Sequence, residues 1–136
     1  MASADGRYYI VFNGEIYNYK KLRSKLESSH RFVSQTDSEV IAHIFEDNYA
    51  KTRDLQGAIK KTVSELDGVY VIVIRDEETG EIALVRDVMG VRQLYYGQNS
   101  QLVAFASERK ALWKIGLGVS LLFNALLIYW LLFLPR

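Results

Sequence analysis

The pattern of apolar and polar residues divides the chain into strands and helices, followed by one long apolar run. Arg7–Phe12 is rich in β-branched and aromatic residues, which predicts a buried strand. Asn13 and Gly14 both tolerate positive φ, so this pair predicts a hairpin turn after the strand. Lys20–Ser29 carries apolar residues at helical spacing and predicts the first helix.

Two further helices are predicted in the middle of the chain. Thr36 with Glu39 three residues later fits a capping box, in which each side chain caps the other residue's backbone at a helix start. The next helix shows a narrow apolar stripe with regular helical spacing, formed by Leu55, Ile59, Val63 and Leu66.

The second half of the chain predicts mainly strands. Val69–Ile74 is apolar at every position, which suits a strand buried on both faces. Asp76–Gly80 predicts a turn, and Glu81–Arg86 predicts the antiparallel partner strand. Two short strands and a helix follow at Leu94–Gly97, Leu102–Ala106 and Glu108–Trp113. A strand, three helices and then several strands indicate an α+β fold with a largely antiparallel sheet.

The run at 115–134 has no charged residue. About 20 consecutive apolar residues suffice for a helix to span a bilayer. Arg109, Lys110 and Lys114 precede the run, so an inserted helix would leave the N-terminal part in the cytoplasm. The expected division is a globular segment at 1–114 and a hydrophobic tail at 115–136. Two interpretations of the tail stay open, a transmembrane helix and frameshifted sequence.

Composition narrows the chemistry. The chain has 17 Lys+Arg and 16 Asp+Glu, a net charge of +1, so its charge gives no reason to expect nucleic acid as a partner. It has no cysteine, which excludes a disulfide framework, a thiolate metal site and a cysteine nucleophile within these residues. The two histidines, His30 and His43, are predicted to be surface or satisfied core residues, and no metal site is expected.

Four phrases give the chain a family resemblance. They are FNGEIYNY at 12–19, TDSEVIAH at 36–43, RDVMGVRQLYY at 86–96 and FASERKAL at 105–112. Together they resemble the N-terminal glutamine amidotransferase domain of asparagine synthetases, a class II domain of the N-terminal-nucleophile hydrolase group. The resemblance implies a partial type-2 amidotransferase domain over 1–114. Its fold would be α+β, an incomplete αββα sandwich, with a C-terminal hydrophobic helix after it.

The resemblance also implies a reaction. In that family a cysteine thiolate attacks the side-chain amide of glutamine, and the released ammonia serves ATP-dependent asparagine synthesis from aspartate in a second domain. Glutamine and that synthetase domain are therefore the expected partners. ATP and magnesium would belong to the synthetase domain, and no cofactor is expected in this chain.

Four residues match the family's site. Asn13 and Gly14 correspond to the oxyanion hole, because an amide side chain and a backbone N–H can both donate to a developing oxyanion. Glu15 and Asp37 correspond to carboxylates that bind the α-ammonium group of glutamine. From the residues alone, simpler interpretations stay open. Asn13 and Gly14 could form a plain hairpin turn, Glu15 could be a solvated carboxylate at a strand end, and Asp37 could be a helix cap.

The sequence motif at 86–96 is predicted to have a structural role. Asp87, Met89, Gly90 and Val91 match a family loop near the interface with the synthetase domain. Gln93 stands where the family usually has proline, and it is expected to relax the turn without touching the glutamine site.

The chain departs from the family in two features that activity requires. In the family the chain begins with the catalytic cysteine, and an arginine-containing motif follows it. Neither feature precedes Phe12 here. The chain is therefore expected to be truncated at both ends and inactive alone, so its status as an enzyme stays open. The alternatives are a membrane-anchored, non-catalytic binding module from the same domain and complementation by a chain that supplies the cysteine. The expected location is the cytoplasm, or the membrane with the N-terminal domain in the cytoplasm.

Overall fold

The computed structural model of the chain describes residues 1–3, 6–118, 120–121 and 130–134. Its helices, α1 to α4 in chain order, are Tyr19–Leu26, Asp37–Thr52, Leu55–Glu65 and Arg109–Lys114. Its strands, β1 to β7 in chain order, are Tyr8–Ile16, Gly68–Asp76, Ile82–Arg86, Tyr95–Gln98, Val103–Ala106, Ser120–Leu121 and Trp130–Leu134.

The strands form two antiparallel sheets. The first has the order β1-β2-β3-β7, and the second has the order β5-β4-β6. β1 and β2 pair along their whole length, from Tyr8 opposite Asp76 to Ile16 opposite Gly68. This pairing joins the start of the chain to its middle, so the three helices between the two strands must fold back over the sheet.

β2 is buried on both faces, which explains why Val69–Ile74 is apolar at every position. Tyr70, Ile72 and Ile74 belong to the larger core, which lies between the first sheet and the helices. Val71 and Val73 point the other way, into a smaller core shared with the second sheet. The predicted strand with two buried faces is therefore confirmed.

Helices cover one face of the first sheet, and the second sheet covers the other. The larger core includes buried side chains from β1, α1, α2, α3, β2 and β3. The smaller core combines Leu84 of β3 with Leu94, Tyr96 and Phe105 from the second sheet and its approach. α4 packs against β4 and β5 and buries Leu112. These layers confirm the predicted α+β sandwich.

The predicted hairpin turn at Asn13-Gly14 is wrong. Both residues lie within β1, where they pair with Val71 and Tyr70 of β2. β2 provides a partner along the whole of β1, so the chain continues as a strand to Ile16. The predicted turn at Asp76–Gly80 does occur: the Gly80 N–H donates to the Asp76 carbonyl at 2.8 Å, and β3 follows.

The predicted C-terminal hydrophobic helix is wrong for the described part of the tail. β6 pairs with β4, and β7 pairs with β3, with Leu84 opposite Leu132. Residues 119, 122–129 and 135–136 of this prediction lie outside the described residues. An apolar run alone does not distinguish a buried strand from a helix, which explains the error. No helix in the described ranges is long and apolar enough to cross a bilayer, and the membrane-anchored alternative is not supported.

A buried ion pair links the start of β1 to the end of β2. The Arg7 guanidinium donates to both carboxylate oxygens of Asp76, at 2.8 and 3.2 Å, and the side chain of Asp76 is only 2% exposed. The backbone N–H groups of Glu78 and Thr79 donate to the same carboxylate. Burial raises the pKa of Asp76, but the hydrogen bonds from Arg7 and from the backbone outweigh burial, so its pKa lies below the ordinary value.

Asp76→Asn is expected to destabilise the fold by about 2 kcal/mol near neutral pH, because Arg7 loses its buried partner charge. The folded-state pKa of Asp76 lies below the ordinary value of 3.8. The stabilisation is therefore present above about pH 4 and is lost as the pH falls through the folded-state pKa. Urea unfolding at about pH 6 and about pH 3 measures the free energy of unfolding of both chains. The difference between the native chain and the variant should be smaller at the lower pH.

The exposed Asp67→Asn variant is the matched control, and its stability should stay close to that of the native chain at both pH values. A gap between the native chain and Asp76→Asn that stays constant or widens on acidification would contradict this assignment.

Candidate functional site

The C-terminal end of β1 brings the sequence-predicted site residues together. Alternation along the strand turns Asn13 and Glu15 to the face away from the helices, where both residues are exposed. Ile16 faces the other side and is fully buried in the larger core. The core therefore fixes the position of the strand end, while its polar side chains stay accessible.

Asn13 lines a cleft of about 220 Å³ between the two sheets. The first sheet contributes one wall and the second sheet with its flanking loops contributes the other. The lining residues are Val11, Asn13, Val71, Val73, Gln93, Leu94, Phe105, Ala106 and Ser107. A mainly apolar cleft with a few polar groups is the usual form of a site for a small ligand.

Asp37 reaches the same strand end from the first residue of α2. Its Oδ2 accepts a hydrogen bond from the Ile16 N–H at 3.0 Å, so the carboxylate lies against the outer edge of β1. The side chain is half-buried, and its position at a helix N-terminus favours negative charge. Asp37 and Glu15 thus place two carboxylates at one end of β1.

The segment before Asp37 is held by Glu39 rather than by the predicted capping box. The Glu39 carboxylate accepts hydrogen bonds from the N–H groups of Val33 and Ser34, at 2.7 and 2.8 Å. Thr36 is the N-cap residue but makes no capping hydrogen bond through its side chain. Burial raises the pKa of Glu39, but the hydrogen bonds from Ser34 and Val33 outweigh it, so the pKa lies below the ordinary value.

Gly14 lies where the backbones of β1 and β2 leave no room for a Cβ atom. A Cβ atom at this position would lie 2.1 Å from the Val69 carbonyl oxygen and 2.6 Å from the Tyr70 Cα. Only glycine fits such an approach between two backbones. The Gly14 N–H points to the outer edge of β1, since strand alternation gives it the same direction as the Ile16 N–H that Asp37 accepts.

The outer edge of β1 is covered in part. Met1 pairs with Ile10, and Ser3 pairs with Tyr8, through backbone hydrogen bonds of 2.8 Å. Among the described residues, no backbone group pairs with the N–H of Phe12 or Gly14 on this edge. Within the described part of the chain, the edge at these two positions is therefore open to a ligand or to another strand beside the candidate site.

These groups have complementary chemistry. The Asn13 carboxamide and the Gly14 N–H are donors that suit a carbonyl oxygen gaining negative charge. The carboxylates of Glu15 and Asp37 are acceptors that suit an ammonium group. A ligand with an amide at one end and an ammonium group at the other would satisfy both sets.

A larger cavity, of about 380 Å³, lies near the opposite end of β1, by Arg7 and Asp76. These two charged groups already satisfy each other, and Arg7 also pairs with Glu78. Their arrangement serves the fold, so the smaller cleft at Asn13 is the better candidate for a ligand.

The sequence did not predict which residues form the second wall of the cleft. Gln93 was expected to lie away from the site, but it lines the same cleft as Asn13. Ser107 also lines the cleft, just before α4 begins after Glu108. No local signal marks these residues, because the packing of one sheet on the other brings them to Asn13.

A sequence model of the family described as glutamine amidotransferase domain matches residues 1–132. The match takes in Asn13, Gly14, Glu15 and Asp37. It also extends through most of the apolar tail.

Similar proteins share this part of the chain. A putative glutamine-hydrolyzing asparagine synthetase 1 from Methanocaldococcus jannaschii is 38% identical over 115 residues, which are 85% of this chain and 19% of that protein. The glutamine-hydrolyzing asparagine synthetase 2 of Bacillus subtilis is 35% identical over 110 residues, or 81% of this chain and 13% of that protein. The chain thus spans a fifth or less of the length of these relatives.

A solved structure shares the fold. The glutamine phosphoribosylpyrophosphate amidotransferase from B. subtilis, complexed with ADP and GMP, aligns with a TM-score of 0.75 and 24% identity. The alignment covers 94% of this chain and 31% of that one. At this identity the likeness concerns the fold.

Gly14→Ala is expected to destabilise the chain by about 3 kcal/mol, because the added methyl group would force β1 and β2 apart. The control is Gly118→Ala, since a Cβ atom at Gly118 meets nothing within 4 Å. Urea unfolding of both variants measures the difference. Equal stability of the two variants would show that the close approach at Gly14 does not constrain the fold.

Proposed function

This chain belongs to the glutamine amidotransferase domain family, and from that membership we propose that the C-terminal end of β1 binds glutamine. One observation carries the proposal: Asn13, Gly14, Glu15 and Asp37 converge on this strand end from two elements. The donors would bind the side-chain amide, and the carboxylates would bind the α-ammonium group.

Asn13 and Gly14 are proposed to form the oxyanion hole. When a thiolate adds to the amide carbon of glutamine, the carbonyl oxygen gains negative charge, and ammonia leaves as the intermediate collapses to a thioester. Two donors held at a rigid strand end stabilise that charge without reorganising. Loss of one such donor typically lowers the rate by about 10²–10³-fold.

Asp37 and Glu15 are proposed to select an amino-acid substrate. Asp37 is oriented by its hydrogen bond from the Ile16 N–H, which leaves its other oxygen available to an ammonium group. Glu15, which precedes Ile16 in the strand, is exposed and supplies a second negative charge. Two carboxylates favour a cationic group over a neutral one, so a ligand without the α-ammonium group would lose this contribution.

The nucleophile is proposed to come from outside these 136 residues, because they contain no cysteine. The outer edge of β1 at Phe12 supports this idea, since its N–H lacks a backbone partner in the described part of the chain. A strand paired at Phe12 would run beside the proposed oxyanion hole and would leave the Gly14 N–H available to the substrate. β-strand addition of this kind is a common way to complete a sheet.

The wider reaction is proposed from the relatives. Their names describe glutamine-hydrolyzing asparagine synthetases, of which this chain matches only a small part. We assign to this chain the supply of ammonia from glutamine, and to a synthetase domain the ATP- and magnesium-dependent synthesis of asparagine from aspartate. No cofactor is proposed for the chain itself.

Asp37→Asn is expected to weaken L-glutamine binding at least about tenfold, because the charge is lost while the amide oxygen still accepts the Ile16 N–H. Glu15→Gln should act in the same direction. Binding of glutaramic acid, which keeps the amide but lacks the amino group, should not change in either variant. Isothermal titration calorimetry of both ligands measures this contrast.

The control is Glu77→Gln, because Glu77 follows Asp76 at the opposite end of β1 and β2. This variant should bind both ligands as the native chain does. If Asp37→Asn weakens the binding of glutaramic acid as much as the binding of L-glutamine, the carboxylate does not bind the ammonium group and the proposal fails.

The 136-residue chain alone is expected to release no glutamate from glutamine, because it has no thiolate to attack the amide. An enzyme-coupled glutamate assay on purified protein measures this. Glutamate release that Asn13→Ala abolishes would mean that a different nucleophile works at this site.

A further inference from the structure

Two histidines and three carboxylates meet where the α1–α2 connection packs on α2. His30 belongs to the connection, and His43 and Glu46 lie three residues apart on one face of α2. The two imidazole rings lie next to each other in a tilted arrangement, with centroids 4.5 Å apart and an interplanar angle of 32°. His30, His43 and Glu46 are between 14% and 19% exposed, so the cluster is largely shielded from water.

Three potential ligand atoms of this cluster converge. The side chains of His30, His43 and Glu46 each offer one atom within 4.8 Å of the others. The Glu46 Oε2 lies 3.3 Å from the His43 Nδ1 and 3.9 Å from the His30 Nδ1. Ligands of a tetrahedral Zn²⁺ lie about 3.4 Å apart, given bonds of about 2.1 Å. Small side-chain rotations would therefore seat an ion between these atoms.

The far nitrogens of both rings face carboxylates. The His30 Nε2 lies 2.9 Å from the Asp47 Oδ1, and the His43 Nε2 lies 3.7 Å from the Glu39 Oε1. Histidine ligands of metals usually donate their second N–H to such a carboxylate, which fixes the tautomer and raises the basicity of the ligand. The His43 Nε2 is buried and makes no hydrogen bond among the described residues, since the Glu39 carboxylate lies beyond hydrogen-bond distance, while the Nδ1 of the same ring lies 3.3 Å from the Glu46 Oε2.

We propose that His30, His43 and Glu46 bind a divalent transition-metal ion of the Zn²⁺ class. Two imidazoles, one carboxylate and a water molecule would complete the coordination. The proposal replaces the sequence-level expectation that these histidines are ordinary surface or core residues. It does not depend on the proposed glutamine site.

The ion would join the α1–α2 connection to α2. His30 is the connection's contribution, while Glu39, which faces His43, also holds the backbone of Val33 and Ser34. A metal would thus stabilise the segment that leads directly to Asp37. Its effect is expected on stability rather than on chemistry.

Thermal unfolding of the full chain with Zn²⁺ tests the proposal. Zn²⁺ in roughly tenfold molar excess is expected to raise the Tm by about 5 °C, because the ion binds the folded state. His43→Gln and His30→Gln should each abolish the rise, whereas Glu81→Gln, on the exposed turn after β2, should keep it. An equal rise in the histidine variants, or none in the native chain, would overturn the proposal.

Imidazole ¹⁵N spectra of the native chain give a second readout that needs no variant. The chain has two histidines, so both can be followed individually. Zn²⁺ is expected to shift the Nδ1 signal of His30 and His43 together, with saturation at one ion per chain. Unchanged imidazole signals in the presence of Zn²⁺ would refute the site even if the variants fail to fold.

Discussion

The close approach of β1 and β2 is the constraint on which the rest of the structure depends. Two glycines make it possible from opposite strands. A Cβ atom at Gly14 would lie 2.1 Å from the Val69 carbonyl oxygen, and one at Gly68 would lie 2.2 Å from the Glu15 carbonyl oxygen. The two backbones can therefore approach this closely only because neither position carries a Cβ atom. The pairing of β1 with β2 positions the end of β1 that carries Asn13 and Glu15.

The candidate site follows from the two faces of this strand pair. One face buries Ile16 and its neighbours against the helices, and the other faces the second sheet with Asn13 in the intervening cleft. α2 adds Asp37 at the outer edge, through a single hydrogen bond to the Ile16 N–H. Apolar burial thus anchors the strand, while its polar groups remain available to a ligand.

Several elements with strong local patterns were predicted correctly from the sequence, although the apolar run at 115–134 was not. Val69–Ile74 is the clearest case, because a strand between two cores must be apolar at every position. The hairpin at Asn13-Gly14 was wrong, since the partner strand and the close approach at Gly14 are long-range features. Asn13 and Asp37 were predicted as site residues through the family resemblance, whereas Gln93 reaches the cleft only through sheet packing. The His30–His43 cluster likewise depends on how the α1–α2 connection folds onto α2.

The central claim is that the end of β1 binds glutamine, and amide-resolved NMR of the native chain tests it most directly. L-glutamine is expected to shift the backbone N–H of Gly14 and the side-chain NH₂ of Asn13, with smaller changes near Asp37. D-glutamine should shift them less, because its ammonium group cannot reach both carboxylates while its amide occupies the donors. Shifts confined to other parts of the chain, or equal shifts with both enantiomers, would contradict the account.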